Sequence, residues 1–195
     1  MQRVFLSDAP AKDFSTQNNE LFPNAPEKCP FGDCGLPVKM KKHGYYTRFF
    51  INKSFSGHIY IRRYICPVCG RTVSMLPAFC FTRIQYSAIE IMNIFYEIYL
   101  EGISLNGVIK RIKATLPIDR RHINYYKRRL VKNRSKIQYA LNLISPEFIF
   151  AGNAPENQIW LKKILEKIRN MPQLSFLYEY FKTINETFIS KSMIA

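Results

Sequence analysis

Carboxylates are scarce in this sequence. Its 195 residues hold 14 Asp and Glu against 29 Lys and Arg, a formal net charge of +15. The aspartates are Asp8, Asp13, Asp33 and Asp119 alone, and none follows residue 119. Two-metal phosphodiester transfer needs clustered acids, so a nuclease or strand-transfer site is excluded and the expectation is a non-enzymatic protein. Long apolar runs are missing too: the best, Ile91 to Leu100, is broken by Asn93 and Glu97 and falls short of the roughly 18 residues that span a bilayer. Val4-Phe5-Leu6 is too short for the apolar core of an export signal. A soluble, cytoplasmic, nucleoid-associated protein without a membrane partner is expected.

Apolar residues are plentiful at 47%, enough for a folded core. The bases lie in two blocks. Residues 34–89 hold nine Lys and Arg and no carboxylate, and residues 102–136 hold eleven against Asp119 alone. Residues 1–33 and 90–101 are net acidic, and residues 137–195 are close to balanced. Solvated faces mix signs, so two single-sign blocks point to a polyanion.

Four of the five cysteines form two close pairs, Cys29-Pro-Phe-Gly-Asp-Cys34 and Cys66-Pro-Val-Cys69, each followed by glycine. Loops of this spacing can present four thiolates to one tetrahedral Zn²⁺, a closed structural site with no position left for catalytic water. Gly35 and Gly70 suit the positive φ of a tight loop whose N–H groups turn toward sulfur. A redox pair at Cys66 and Cys69 is the competing reading, but it wants a βαβ setting. Disulfides are the other alternative, and they want an exported protein. Cys80, in an apolar stretch, reads as a small buried residue.

Between the pairs, Tyr45 to Lys53 and His58 to Ile65 read as strands joined by a turn at Ser54 to Gly57. Alternation places Tyr60, Arg62 and Tyr64 on one strand face, a basic-aromatic surface suited to a sugar-phosphate backbone or simply a wet side. His43 and His58 read as surface residues, since the cysteine set is complete without them.

After Ser87 the apolar period becomes helical. Ile89, Met92, Ile94, Phe95, Ile98 and Tyr99 form a first helix that ends before Gly102. Ser104 caps a short second helix with Leu105, Val108, Ile109 and Ile112 on one face. Asp119 caps a third, reaching about Ser135, with Ile123, Tyr126 or Lys127, and Leu130 inward. Its outward face carries Arg120, Arg121, Asn124, Tyr125, Arg128, Arg129 and Lys132. Short helix, turn and longer basic helix make a helix-turn-helix pattern. Arg can bond guanine, Asn adenine, and Lys, Arg and Tyr the phosphates of duplex DNA. His122 reads as a polar contact.

The ends are less informative. Residues 1–28 lack a period and read as a mobile arm. In residues 137–195, Ile159, Trp160, Ile164, Leu165 and Ile168 suggest one helix, and Leu174, Phe176, Leu177, Tyr180, Phe181 and Ile184 another. These helices finish the core or join two copies as a homodimer. The expected organisation is thus an arm at 1–28, a zinc ribbon at 29–83, a helix-turn-helix at 84–136 and a helical segment at 137–195, an α+β chain.

The order Cys-x4-Cys-Gly, His43-Gly44-Tyr45-Tyr46-x-Arg48, Ile61-Arg62-Arg63-Tyr64-x-Cys66-Pro67-x-Cys69-Gly70-Arg71-Thr72, Ser74-x-Leu76-Pro77-x-Phe79 and Tyr86-Ser87, then Gly102-Ile103-Ser104, resembles the zinc-ribbon and helix-turn-helix region of bacterial insertion-sequence transposases. It is most similar to an uncharacterised family of transposase-like zinc-ribbon proteins of low-GC Gram-positive bacteria. The resemblance spans about residues 29–135. It implies that Cys29, Cys34, Cys66 and Cys69 hold one structural Zn²⁺. It also implies DNA binding by the third helix and by the ribbon, where Arg48, Arg62, Arg63 and Arg71 are the candidate contacts. No counterpart of the RNase H-like catalytic domain of full transposases is expected in this sequence, where about sixty residues follow the third helix. The alternative is a zinc-ribbon module that docks a protein or a structured RNA.

Overall fold

The computed structural model describes residues 1–146 and 156–189. Parts of the expected C-terminal helical segment, residues 147–155 and 190–195, lie outside the described residues. The chain divides into a sheet unit, Met1–Phe50 with Phe55–Pro77, and a helical unit, Ile51–Ser54 with Ala78–Ala195. No described helix is long and apolar enough to cross a membrane.

The sheet unit has four strands, β1 (Gln2–Phe5), β2 (Lys41–Ile51), β3 (Ser56–Ile65) and β4 (Thr72–Pro77), in the order β1-β4-β3-β2. The expected pair is present as β2 and β3, joined by four residues, too few for a crossover. Two further strands extend it. β4 runs antiparallel to β3, with Tyr64 opposite Val73, and β1 runs parallel to β4, with Val4 opposite Leu76.

Residues 1–28 are not a mobile arm. They supply the edge strand β1 and two 3-10 turns, Ala11–Ser15 and Asn19–Leu21, the first packed on β3. Aromatic packing secures them: Phe14, fully buried, meets Phe22 edge-on at 5.4 Å, and Phe22 meets Tyr45 at 5.8 Å. The segment covers the strand face that alternation presents as basic and wet. Tyr64 donates its hydroxyl proton to the Pro23 carbonyl at 2.7 Å, and Tyr45 donates to Asn19 Oδ1 at 2.8 Å.

Arg62 lies beneath this cover, only 5% exposed. Its guanidinium is 4.6 Å from the Tyr45 ring centre and 5.6 Å from that of Tyr64, and its Nη1 donates to Asn19 Oδ1 at 2.7 Å. Desolvated cation-π contacts and a buried hydrogen bond give it a structural role in place of the expected backbone contact. Arg62→Ala should therefore lower stability by about 1–3 kcal/mol and speed proteolysis and amide exchange within residues 1–28. Unchanged protection there would reject this role.

The helical unit contains α1 (Ala88–Tyr99), α2 (Leu105–Ile112), α3 (Arg120–Lys132), α4 (Arg134–Ile144), α5 (Asn157–Arg169) and α6 (Gln173–Ile184). One core joins them. Met92, Ile94 and Phe95 of α1, Val108 and Ile112 of α2, and Ile123, Tyr126 and Leu130 of α3 are buried in it, as the helical periods require. Ile51 belongs to this core: its N–H donates to the Gln85 carbonyl and its carbonyl accepts from Ser87 N–H, both at 2.8 Å. Lys53 is tied to Glu90 of α1 through backbone and side chain.

α3 stops three residues short of Ser135. Asn133, 2% exposed, leaves the helical conformation (ψ 10°) and donates from Nδ2 to the Phe188 carbonyl, and α4 starts at the next residue. α5 packs on α1 and α6 on α4. Trp160, Ile164, Leu165, Ile168, Phe176, Leu177 and Tyr180 are buried in the same core, whereas Ile159 is half exposed. Their buried faces thus contribute to the core of the helical unit.

Candidate functional site

The two cysteine pairs converge. Cys29 and Cys34 lie on the loop before β2, and Cys66 and Cys69 on the turn between β3 and β4. Cys29 Sγ is 3.8 Å from Cys69 Sγ, Cys34 Sγ is 3.9 Å from Cys66 Sγ, and all four sulfurs lie within 4.8 Å of one another. A sulfur–sulfur bond is about 2.05 Å, so these are four free thiols. Four sulfurs at about 2.3 Å from a central ion are about 3.8 Å apart along a tetrahedron's edges, which matches the Cys29–Cys69 and Cys34–Cys66 separations. The residues therefore fit one tetrahedral metal ion, and a four-sulfur set suits zinc or iron.

The loops repeat one local design. Gly35 (φ 51°) and Gly70 (φ 69°) take the left-handed conformation expected after each second cysteine. Cys29 N–H donates to the Leu36 carbonyl at 3.1 Å, and Cys66 N–H to the Arg71 carbonyl at 3.0 Å. The N–H groups of Phe31 and Arg71 turn toward the Cys29 and Cys69 sulfurs. Burial raises the Cys29 thiol pKa. The Arg71 backbone N–H first, and its side chain next, lower that of Cys69. Thiolate ligands must shed their protons, and donors aimed at sulfur favour that form.

Arg71, one of the expected nucleic-acid contacts, reaches across to the first cysteine loop. It donates from Nη2 to Asp33 Oδ1 at 2.6 Å and lies 4.2 Å from the Phe31 ring centre. Reading the sequence missed this bridge. Its one trace was Asp33, the lone carboxylate within either cysteine loop. Arg63 is half-buried and donates to the Tyr45 carbonyl at 3.5 Å, a long and weak contact. Arg48 is half-buried on β2.

The second set of candidates is on α3, which has no carboxylate of its own. Asp119 accepts from His122 N–H at 3.0 Å, and His122 Nδ1 accepts from Asp119 N–H at 3.3 Å, a reciprocal cap that fixes the start of the helix. The His122 N–H above all, with Arg121 assisting against partial desolvation, holds the Asp119 carboxyl down at about 2. Outward along the helix, Arg120, Arg121, Asn124, Tyr125, Arg128 and Lys132 are exposed and Arg129 is half-buried. Three of the arginines are already engaged. Arg120 donates to Asn106 at 2.6 Å, Arg121 forks onto Asp119 at 3.1 and 3.2 Å, and Arg129 donates to the Tyr125 hydroxyl at 3.2 Å. The structure thus gathers all seven predicted α3 residues on one helix and, in the sheet unit, buries Arg62 and bonds Arg71 to Asp33.

No family model, curated protein or solved structure matches this chain.

Proposed function

We propose that this chain is a non-catalytic, zinc-stabilised protein that binds duplex DNA, related in design to transposases of mobile elements. The observation that carries the reading is α3: thirteen residues without a carboxylate, anchored by Ile123, Tyr126 and Leu130, and presenting Arg120, Arg121, Asn124, Tyr125, Arg128 and Lys132 outward. A helix of this width enters the major groove, where Asn124 and Arg128 can meet base edges while Lys132 meets phosphate. The tetrathiolate loops flanking β2 and β3 support a zinc ribbon, with the ion in a structural role. In this reading α2 is the supporting helix and α3 the recognition helix of a helix-turn-helix, with one departure. Residues 113–119 make a longer connection than the three or four residues usual in that motif.

Salt dependence tests the reading. Binding through about six phosphates should give a slope near −5 when log affinity is plotted against log salt concentration. Asn124→Ala and Arg128→Ala should relax sequence preference, and Lys132→Ala should weaken all duplexes alike. A flat salt response, or no duplex binding at low salt, would favour a module that docks a protein or structured RNA.

A further inference from the structure

The two halves of the cysteine site come from chain segments more than thirty residues apart, and one side chain reaches both. Arg71 follows the second pair directly. Its carbonyl accepts from Cys66 N–H at 3.0 Å, and its positive charge acts on the Cys69 sulfur. The same guanidinium crosses to the first loop, bonding Asp33 at 2.6 Å and stacking on Phe31 at 4.2 Å. Both Phe31 and Asp33 stand between Cys29 and Cys34. We propose that the Arg71–Asp33 bridge is a latch that sets how long the tetrathiolate site keeps its metal ion, which makes Arg71 a positioning residue and removes it from the nucleic-acid surface. This rests on the zinc reading of the four cysteines and not on the DNA reading.

An exposed ion pair alone contributes little, and Asp33 is well exposed. Here the guanidinium has two partners on the first loop, Asp33 and Phe31, while its own backbone carbonyl holds the Cys66 N–H of the second. Four thiolates around a divalent cation leave a net double negative charge, which the fixed guanidinium beside Cys69 offsets. Release to a competing ligand begins when a thiolate detaches, takes up a proton and swings away with its loop. The latch opposes that separation because the Cys69 loop cannot withdraw from the first loop without breaking the Asp33 and Phe31 contacts. Partners of metal ligands commonly alter metal retention 10- to 100-fold.

The test uses the full chain loaded with Zn²⁺ and mixed with an excess of a colour-forming chelator. Arg71→Gln and Asp33→Asn should each release zinc about tenfold faster than the parent, with the double variant no faster than Arg71→Gln. Arg71→Lys, which keeps the charge without the fork, should recover part of the loss. Lys39→Gln, which breaks the neighbouring Lys39–Glu27 pair, should change nothing. In the Co²⁺-loaded chain, Arg71→Gln should move the sulfur-to-metal charge-transfer band to lower energy, since a positive charge acting on Cys69 is gone, while helical circular dichroism stays constant. Release from Arg71→Gln and Asp33→Asn within about twofold of the parent, or independent additive effects of the two, overturns the latch. A parent chain that takes up no zinc overturns the zinc reading itself.

Discussion

Replacing Cys66 by serine should melt the sheet unit while leaving the helices standing. Cys66 is fully buried, its Sγ is 3.9 Å from that of Cys34, and its N–H anchors the second cysteine loop. A serine hydroxyl is a poor zinc ligand, so the tetrahedral set opens and the ion is lost. Structural zinc supplies about 10–16 kcal/mol in small zinc domains, comparable to or above the whole stability of a typical domain, about 5–15 kcal/mol. Metal analysis should find one Zn²⁺ per parent chain and none in the variant. Amide exchange should show protection lost from β3 and β4 but kept in α1 and α5. A variant that retains its sheet, or a metal-free parent with a reversible disulfide between Cys66 and Cys69, would reject the structural-zinc reading.

The second large effect is expected at Trp160. Its side chain is fully buried in the helical core, and the Arg134 guanidinium lies 5.3 Å from its ring centre. Trp160→Ala leaves the largest cavity a single substitution can make there and should lower stability by about 3–5 kcal/mol. Trp160→Phe should be far milder, because the indole Nε1 has no hydrogen-bond partner among the described residues and only packing is lost. Thermal unfolding followed by helical circular dichroism reads both. Equal losses from the two substitutions would mean that a polar contact, and not volume, matters at this position.

Some features were legible because their causes are local. Each cysteine pair carries its own spacing and glycine, so the loops and their left-handed turns follow from seven residues of sequence at the first pair and five at the second. The Asp119 cap and the inward stripe Ile123, Tyr126 and Leu130 are equally local. What escaped depends on distant partners. Arg62 reads as a solvent-facing cation until Asn19, 43 residues away, bonds it under a lid of aromatic side chains. The break between α3 and α4 carries no proline or glycine. It rests on Asn133 meeting the carbonyl of Phe188, 55 residues on. Strand β4 did leave a local trace, the alternation of buried Val73 and Met75 with half-buried Thr72 and Ser74, whereas β1 offered only four residues. The division of the chain also falls at Pro77, ahead of the expected boundary after residue 83, because Ala78 to Phe81 belong with the helices.

The loop Ile51–Ser54 bears on how this protein could be taken apart. It joins two strands of the sheet unit, yet its backbone bonds and its Lys53–Glu90 tie belong to the helical unit. The chain therefore visits the helical unit, returns to the sheet and leaves again, and no single cut yields two intact pieces. A fragment starting at Ala78 would lack the Ile51 partner of Gln85 and Ser87, exposing the approach to α1. Recombination could not move the helices into another protein as a simple cassette: the hairpin tip would have to travel with them.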